Sequence, residues 1–598
     1  MKFATGLAAL PLFVYQGVFA QGGVLAYPGC NVTYSDNNFK VETLVRRQAS
    51  GGGVGGVIDN SGGKGLWEPT KLAVGADASG NVEVYFTELG GSFKVYWAKD
   101  KSVHRIAKLD VDTVWSTGDE MGLMGVALAP DFKTSRQVYL YNSPRSTGYW
   151  RLSRYTLSED RLSVGPETII FQWIVQKKAC CHTGGGMHFD DLGDLWLSIG
   201  NNEGRGSDGI DEGDSVNSAE WGSSSTASPR GGVIRIHPLQ TAGTDGKLYS
   251  IPKGNFGEYW GAEFEKAGKT ALAAQYRDPK KVLPEIYVKG NRNPYGIAVD
   301  RVRRWLWVGD VGPDGDDRPM SPGGMGEDHD FYMHPGFSGW PYYTGINYLN
   351  SPNAQKLGMT AQAPTNKSKW NKGVQELPPT TPSLWAEHNG ASFAGFFYRY
   401  DMSNTNPQRL PAIFHKHTIW ASWGGNPIVT KHNDDGAMIG TTPKNVMTSV
   451  SMSGETDIQL GPDGAVYVAQ YAGFFDANQD TRIDRIYYTG QQCAVDVPQE
   501  KAGCKANDPS VTLNVPEACG SVGIQKGYVA RGENKWMKKS VALGGMNGLL
   551  EIPEGIRSVE IYSLQGRKVF GFDNAARVAS LKLPPELTQG VYHVMMSR

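Results

Sequence analysis

The chain has 598 residues, with 59 Lys and Arg against 60 Asp and Glu and a formal net charge of −1. Such a balance gives no global field to hold nucleic acid or an anionic membrane, and 40% hydrophobic with 11% aromatic residues excludes a disordered chain. The length exceeds one ordinary core, and 76 Gly beside 16 Trp and 27 Tyr point to many short strands joined by tight turns rather than to long helical bundles.

Residues 1–20 read as a secretory signal. Lys2 is its positive end, Gly6 to Ala20 is apolar and uncharged, and Ala20 offers a small residue before Gln21. This apolar run falls short of the ~20 residues a membrane span needs. The expectation is a secreted protein with no transmembrane span in the mature chain.

Residues 21–65 read as an irregular leader ending in the glycine-rich linker Ala49 to Gly56. From residue 66 to 490 one unit recurs: an apolar strand, a turn rich in Pro, Asp and Gly, and a second apolar or aromatic strand. The copies are Leu72–Glu88, Gly125–Asn142, Met187–Gly200, Ile297–Asp310 and Ile458–Tyr471. Repeated antiparallel units over such a length predict an all-β chain built on a β-propeller. Residues 491–538 read as a cysteine-containing linker. Residues 539–598 read as a small β-sandwich-like module, because Val559 to Val569 and Gly590 to Met596 alternate as half-buried strands do.

The six cysteines are Cys30, Cys180, Cys181, Cys493, Cys504 and Cys519. An even count in an exported chain predicts disulfides, without choosing among the pairings. Cys180 and Cys181 are adjacent, so on a strand their side chains point to opposite faces and do not share one metal. A vicinal disulfide in a turn is the alternative.

Three groups of motifs are more specific. Gly122-Leu123-Met124-Gly125-Val126-Ala127-Leu128-Ala129-Pro130-Asp131-Phe132 is one, and His182-Thr183-Gly184-Gly185-Gly186 followed by Ser198-Ile199-Gly200 is another. Gly290-Asn291-Arg292-Asn293-Pro294-Tyr295-Gly296 is a third, with Trp307 to Gly312 and Gly339-Trp340-Pro341 downstream. In this order, from about residue 67 to 488, they resemble the soluble quinoprotein glucose dehydrogenase and sorbosone dehydrogenase family. The resemblance implies a six-bladed propeller carrying pyrroloquinoline quinone (PQQ) and calcium on one face. It also implies oxidation of a sugar or oligosaccharide, with electrons passing to an external acceptor.

Carried over residue by residue, the resemblance makes His182 the general base, a role suited to a side chain that titrates near neutrality. Arg292 and Asn293 become contacts to substrate and cofactor, and a guanidinium can stabilise negative charge on a reduced quinone. Glu120 stands where the family places a polar contact to the quinone. Gly312 and Pro313 match the positions whose carbonyls hold calcium, with the acidic run that includes Asp317 close by. Asp476 to Asp484 begins like an EF-hand loop but lacks its Gly and closing Glu.

Two departures stand out. Asn201 replaces the Asp that orients the base, and Glu203 is the candidate carboxylate to take over that role. Gly454 and Thr456 replace two arginines that grip the quinone carboxylates, and Ile419 to Gly425 lacks the family's lysine. These departures motivate the competing reading, a catalytically inactive propeller that binds a glycan or a protein partner.

The run Ile561 to Val569 resembles the sorting domain of type IX secretion, which implies export across a bacterial outer membrane, followed by release as a secreted protein or attachment at the outer cell surface. Serine-hydrolase elbows, phosphate loops, His-Glu-x-x-His and Cys-x-x-Cys are absent from the sequence.

Overall fold

The computed structural model describes the chain from residue 25 to 497 apart from intervals, the longest being 48–55, 114–119, 175–180, 204–218, 313–326, 346–363 and 473–477. It also describes the strands between residues 536 and 597. The chain divides into two units, Met1–Gly520 and Ser521–Arg598.

In the first unit, six sheets follow one another, each built on four antiparallel strands. Blade 1 comprises Pro69–Ala76, Val82–Glu88, Ser92–Trp97 and Ser102–Lys108. Blade 2 comprises Leu123–Leu128, Gln137–Asn142, Tyr149–Thr156 and Thr168–Ile174. Blade 3 comprises Gly184–Phe189, Leu195–Ile199, Gly232–Pro238 and Ile286–Lys289. Blade 4 comprises Pro294–Val299, Leu306–Asp310, Glu327–Tyr332 and Ala386–Glu387. Blade 5 comprises Ser392–Tyr398, His417–Ser422, Ile428–Lys431 and Lys444–Asn445. Blade 6 comprises Glu455–Leu460, Val466–Gln470 and Arg482–Tyr488, completed by Phe39–Arg46.

The first strand of each blade packs against the first strands of its neighbours, and that of blade 6 against that of blade 1. The ring is therefore closed, a six-bladed β-propeller. Each blade is packed on both faces, so its second strand is apolar without alternation. Leu195, Trp196 and Leu197 are all fully buried. At the axis the first strands approach closely enough to exclude side chains: a Cβ on Gly185 would stand 2.3 Å from the Met124 carbonyl oxygen.

The five hairpins read from the sequence are the first two strands of blades 1, 2, 3, 4 and 6. Blade 5 lacks that signature because residues 399–416 separate its first two strands. The leader needs correction. Phe39–Arg46 within it is the outermost antiparallel strand of blade 6, paired with Arg482–Tyr488. A bulge between Thr43 and Val45 breaks the alternation that would have marked it. Asp59, also in the leader, is buried and accepts from Lys94 Nζ at 2.6 Å.

Cys30 is disulfide-bonded to Cys493, across 463 residues, beside this closing strand. Replacing Cys30 by Ser is expected to lower the unfolding free energy by about 2–5 kcal/mol. The check is the denaturant midpoint of the non-reduced protein; an unchanged midpoint would show that strand pairing alone closes the ring. Cys181 is also disulfide-bonded. Cys180, Cys504 and Cys519 lie outside the described residues.

Helices Phe256–Lys266 and Thr270–Tyr276 are inserted between the third and fourth strands of blade 3. Their apolar sides share a cluster with Phe337, Tyr342 and Val374. Among the described residues, no helix is long and apolar enough to cross a membrane.

The second unit begins upstream of the expected module, at Ser521. It holds a four-stranded antiparallel sheet in the order Trp536–Ala542, Val591–Ser597, Ser558–Tyr562, Lys568–Asp573. A two-stranded sheet pairs Leu549–Glu551 with Ser580–Lys582.

Candidate active site on one propeller face

First and second strands of a blade are antiparallel, so the residue before the one and the residue after the other lie at the same end of the ring. That rule brings together Glu120 before blade 2, His182 before blade 3, Asn201 after its second strand, Arg292 and Asn293 before blade 4, and Asp310 closing the second strand of blade 4.

His182 is 3% exposed and sits in the left-handed region at φ +58°. A non-glycine residue there costs about 1–3 kcal/mol and persists only where its surroundings hold it. Its carbonyl accepts from Asn202 N–H at 2.8 Å, and its Nδ1 is 2.9 Å from Asn201 Oδ1. The same Oδ1 accepts from Glu203 N–H at 3.2 Å. A backbone N–H can only donate, so it fixes which end of the amide is oxygen. His182 Nδ1 therefore carries the proton and donates, and Nε2 keeps its lone pair. Asn201 N–H donates to the Arg292 carbonyl at 2.8 Å, tying blade 3 to blade 4.

Glu203 does not replace the family carboxylate. Its backbone serves Asn201, while its buried side chain interacts with Arg230.

Asp310 organises the blade 4 side. Its carboxylate accepts from Arg292 N–H at 2.9 Å, Asn293 N–H at 2.6 Å and Asn291 Nδ2 at 3.1 Å. Burial pushes its carboxyl up to about 6 despite these donors. Arg292 Nη1 donates to the Val311 carbonyl at 3.1 Å. Asn293 Nδ2 donates to the Glu120 carboxylate at 3.1 Å, and its Oδ1 accepts from Gly184 N–H at 3.1 Å. Glu120 also accepts from Thr183 N–H at 3.0 Å. The Glu120 carboxylate is thus clamped between the residue after the base and a blade 4 amide.

Of the calcium candidates, Gly312 is buried and its N–H donates to Glu327 Oε2 at 3.2 Å. Pro313 and Asp317 lie outside the described residues, as does Asp476. Burial lifts the Glu327 carboxyl to about 8. Among the described residues, no three His, Cys, Asp or Glu side chains converge as a metal site.

Sequence reasoning missed Lys71. It lies buried in the first strand of blade 1, where its Nζ donates to the carbonyls of Tyr295 at 2.9 Å and Thr456 at 3.2 Å. Burial lowers its ammonium to about 8, and the Asp457 and Glu120 carboxylates act the other way. A cation therefore does stand beside Thr456, supplied by another blade. Its signal was a lone lysine inside the apolar run Pro69–Ala76. Glu455, at the start of blade 6, is fully buried and accepts from Gly424 N–H at 2.6 Å. Its Oε1 has no partner among the described residues, and burial raises its carboxyl to about 7.

Residues 66–255 match the family model Glucose / Sorbosone dehydrogenase. Aldose sugar dehydrogenase YliI of Escherichia coli K12 is 25% identical over 370 residues, which are 60% of this chain and 76% of that protein. A glucose dehydrogenase-like oxidoreductase structure from Thermus thermophilus covers 75% of this chain and 99% of its own at 19% identity and TM-score 0.48. A PQQ-bound aldose sugar dehydrogenase from Streptomyces coelicolor covers 75% and 98% at 16% identity and TM-score 0.45. The chain is an oxidoreductase, similar in sequence over its propeller to an aldose sugar dehydrogenase.

Proposed function

We propose that this protein is an exported dehydrogenase of a sugar or oligosaccharide, with His182 as general base. The observation that carries the reading is the 2.9 Å contact of His182 Nδ1 with Asn201 Oδ1, an oxygen that also accepts from Glu203 N–H: with Nδ1–H donated there, Nε2 holds the lone pair that takes a proton from a substrate hydroxyl. Asn201 orients the ring but, being neutral, does not stabilise imidazolium as a carboxylate would. Arg292 supplies positive charge at the same end of the ring, its guanidinium held at the Val311 carbonyl, and Asn293 with Glu120, bonded to each other, place an amide and a carboxylate there.

PQQ, the cofactor implied by the family motifs, carries three carboxylates and fits these residues as a calcium complex rather than as a bare trianion. Arg292 and Lys71 are cations on this face, but Lys71 already donates to two carbonyls. Gly454 and Thr456 supply no guanidinium. The nearby Glu327 and Glu120 are hard oxygen donors that suit a divalent cation better than a second anion. Arg292 and Asn293 would hold the quinone, and the main chain at Gly312 with Glu327 would help hold calcium. When bound, the quinone would take the hydride from the carbinol carbon and later pass its electrons to an external acceptor.

One observation favours the second reading, a non-catalytic glycan- or protein-binding propeller. In place of the arginine-rich run, blade 6 presents Glu455, whose buried carboxylate opposes an anionic cofactor. Export rests on the signal-like residues 1–20, and the type IX sorting role on the run Ile561 to Val569.

Titration of the purified chain with PQQ, with and without Ca²⁺, separates the two readings. Calcium-dependent binding with sugar-dependent dye reduction is expected. A folded protein that binds no quinone in either condition would leave the binding module.

A further inference from the structure

Resting on His182 as the base, we propose that Glu203 and Arg230 are positioning residues that hold the Asn201 amide so that His182 keeps its proton on Nδ1. An asparagine amide has nearly the same shape either way round. Turned over, it would present Nδ2 to His182, the imidazole would protonate on Nε2, and no lone pair would face the substrate. The Glu203 N–H, 3.2 Å from Asn201 Oδ1, opposes that turn because Nδ2 cannot accept from it.

That N–H belongs to a residue whose side chain is buried within reach of the Arg230 charge. Glu203 is 0% exposed and Arg230 2% exposed. A Cβ on Gly222 would stand 2.8 Å from Glu203 Oε1 and 3.3 Å from Arg230 Nη2, so the two side chains converge on that glycine. Arg230 is fixed in turn. Its guanidinium lies 4.1 Å over the Trp221 ring, and Lys289 Nζ donates to its carbonyl and, at 2.9 Å, to that of Gly222. Burial lowers Arg230 to about 10, and Glu203 is the carboxylate that opposes this. The buried pair behind Asn201 thus replaces, by position rather than by charge on the ring, the orienting that a carboxylate gives a catalytic histidine.

The test uses the full chain with ¹⁵N-labelled histidine, the His182 ring signals being assigned with His182→Gln. The wild type is expected to show one tautomer, protonated on Nδ1. Glu203→Gln is expected to give a mixture of tautomers and to lower kcat about tenfold or more while KM changes little. Because this variant leaves the buried Arg230 without its carboxylate and so threatens the fold, Glu203→Gln/Arg230→Met, which removes both charges, is measured beside it. Recovered stability with tautomers still mixed supports positioning. A single Nδ1-protonated signal in both variants, or recovery of kcat together with stability in the double variant, would overturn it. The ring signals do not need turnover, so an absence of sugar oxidation in the wild type would sink the proposed function and leave this test standing.

Discussion

His182→Gln is expected to lower kcat/KM for the sugar by about 10²–10⁴, the usual contribution of a general base. Glutamine approximates the reach of the imidazole and can keep a hydrogen bond to Asn201, but it offers no nitrogen lone pair to take a proton. The ring is buried at the end of blade 3 and not in its core, so the thermal transition should stay close to that of the wild type. Binding of quinone with calcium should also persist. Turnover within a factor of about ten of the wild type would remove His182 from the reaction.

Asp310→Asn should do more damage than its near-identical volume suggests. Both carboxylate oxygens are in use, by Arg292 N–H, Asn293 N–H and Asn291 Nδ2. An amide turns one of those oxygens into a donor facing another donor. Each buried donor left without an acceptor costs about 1–3 kcal/mol, so the loss should be several kcal/mol, seen as a lower denaturant midpoint. The same change releases the main-chain N–H of Asn293 or that of Arg292, according to which oxygen is replaced, and so loosens the segment whose amide clamps Glu120. A misplacement of that kind costs about 10²-fold in kcat/KM. A variant with wild-type midpoint and turnover would show that Asp310 is not the centre of this side of the site.

The propeller was legible wherever local chemistry writes the hairpin. Asp190 and Gly193 make a turn whose requirements are local: Asp190 accepts from Leu192 and Asp194 N–H, and Gly193 takes φ +84°. Blade 5 carries no such turn between its first strands, and it was not read. The strand Phe39–Arg46 was read as leader because its pairing lies far away in sequence and its bulge hides the period of two. His182, Asn201, Arg292 and Asn293 were legible as motif residues, and the structure joins them in one hydrogen-bonded network.

Lys71 could not be read as a neighbour of Thr456, because 385 residues separate them. Nor could the direction of Glu203, since a glutamate two residues from the orienting Asn201 is compatible with either role until Arg230 is placed. What the sequence by itself determined is the chain of local choices: strand, turn, glycine at the axis, and the residue types at the strand ends. Which ends meet, and therefore which cation stands beside which carbonyl and which nitrogen of His182 holds the proton, was decided only when the ring closed. Those contacts join blades, and their geometry depends on how six sheets pack around one axis.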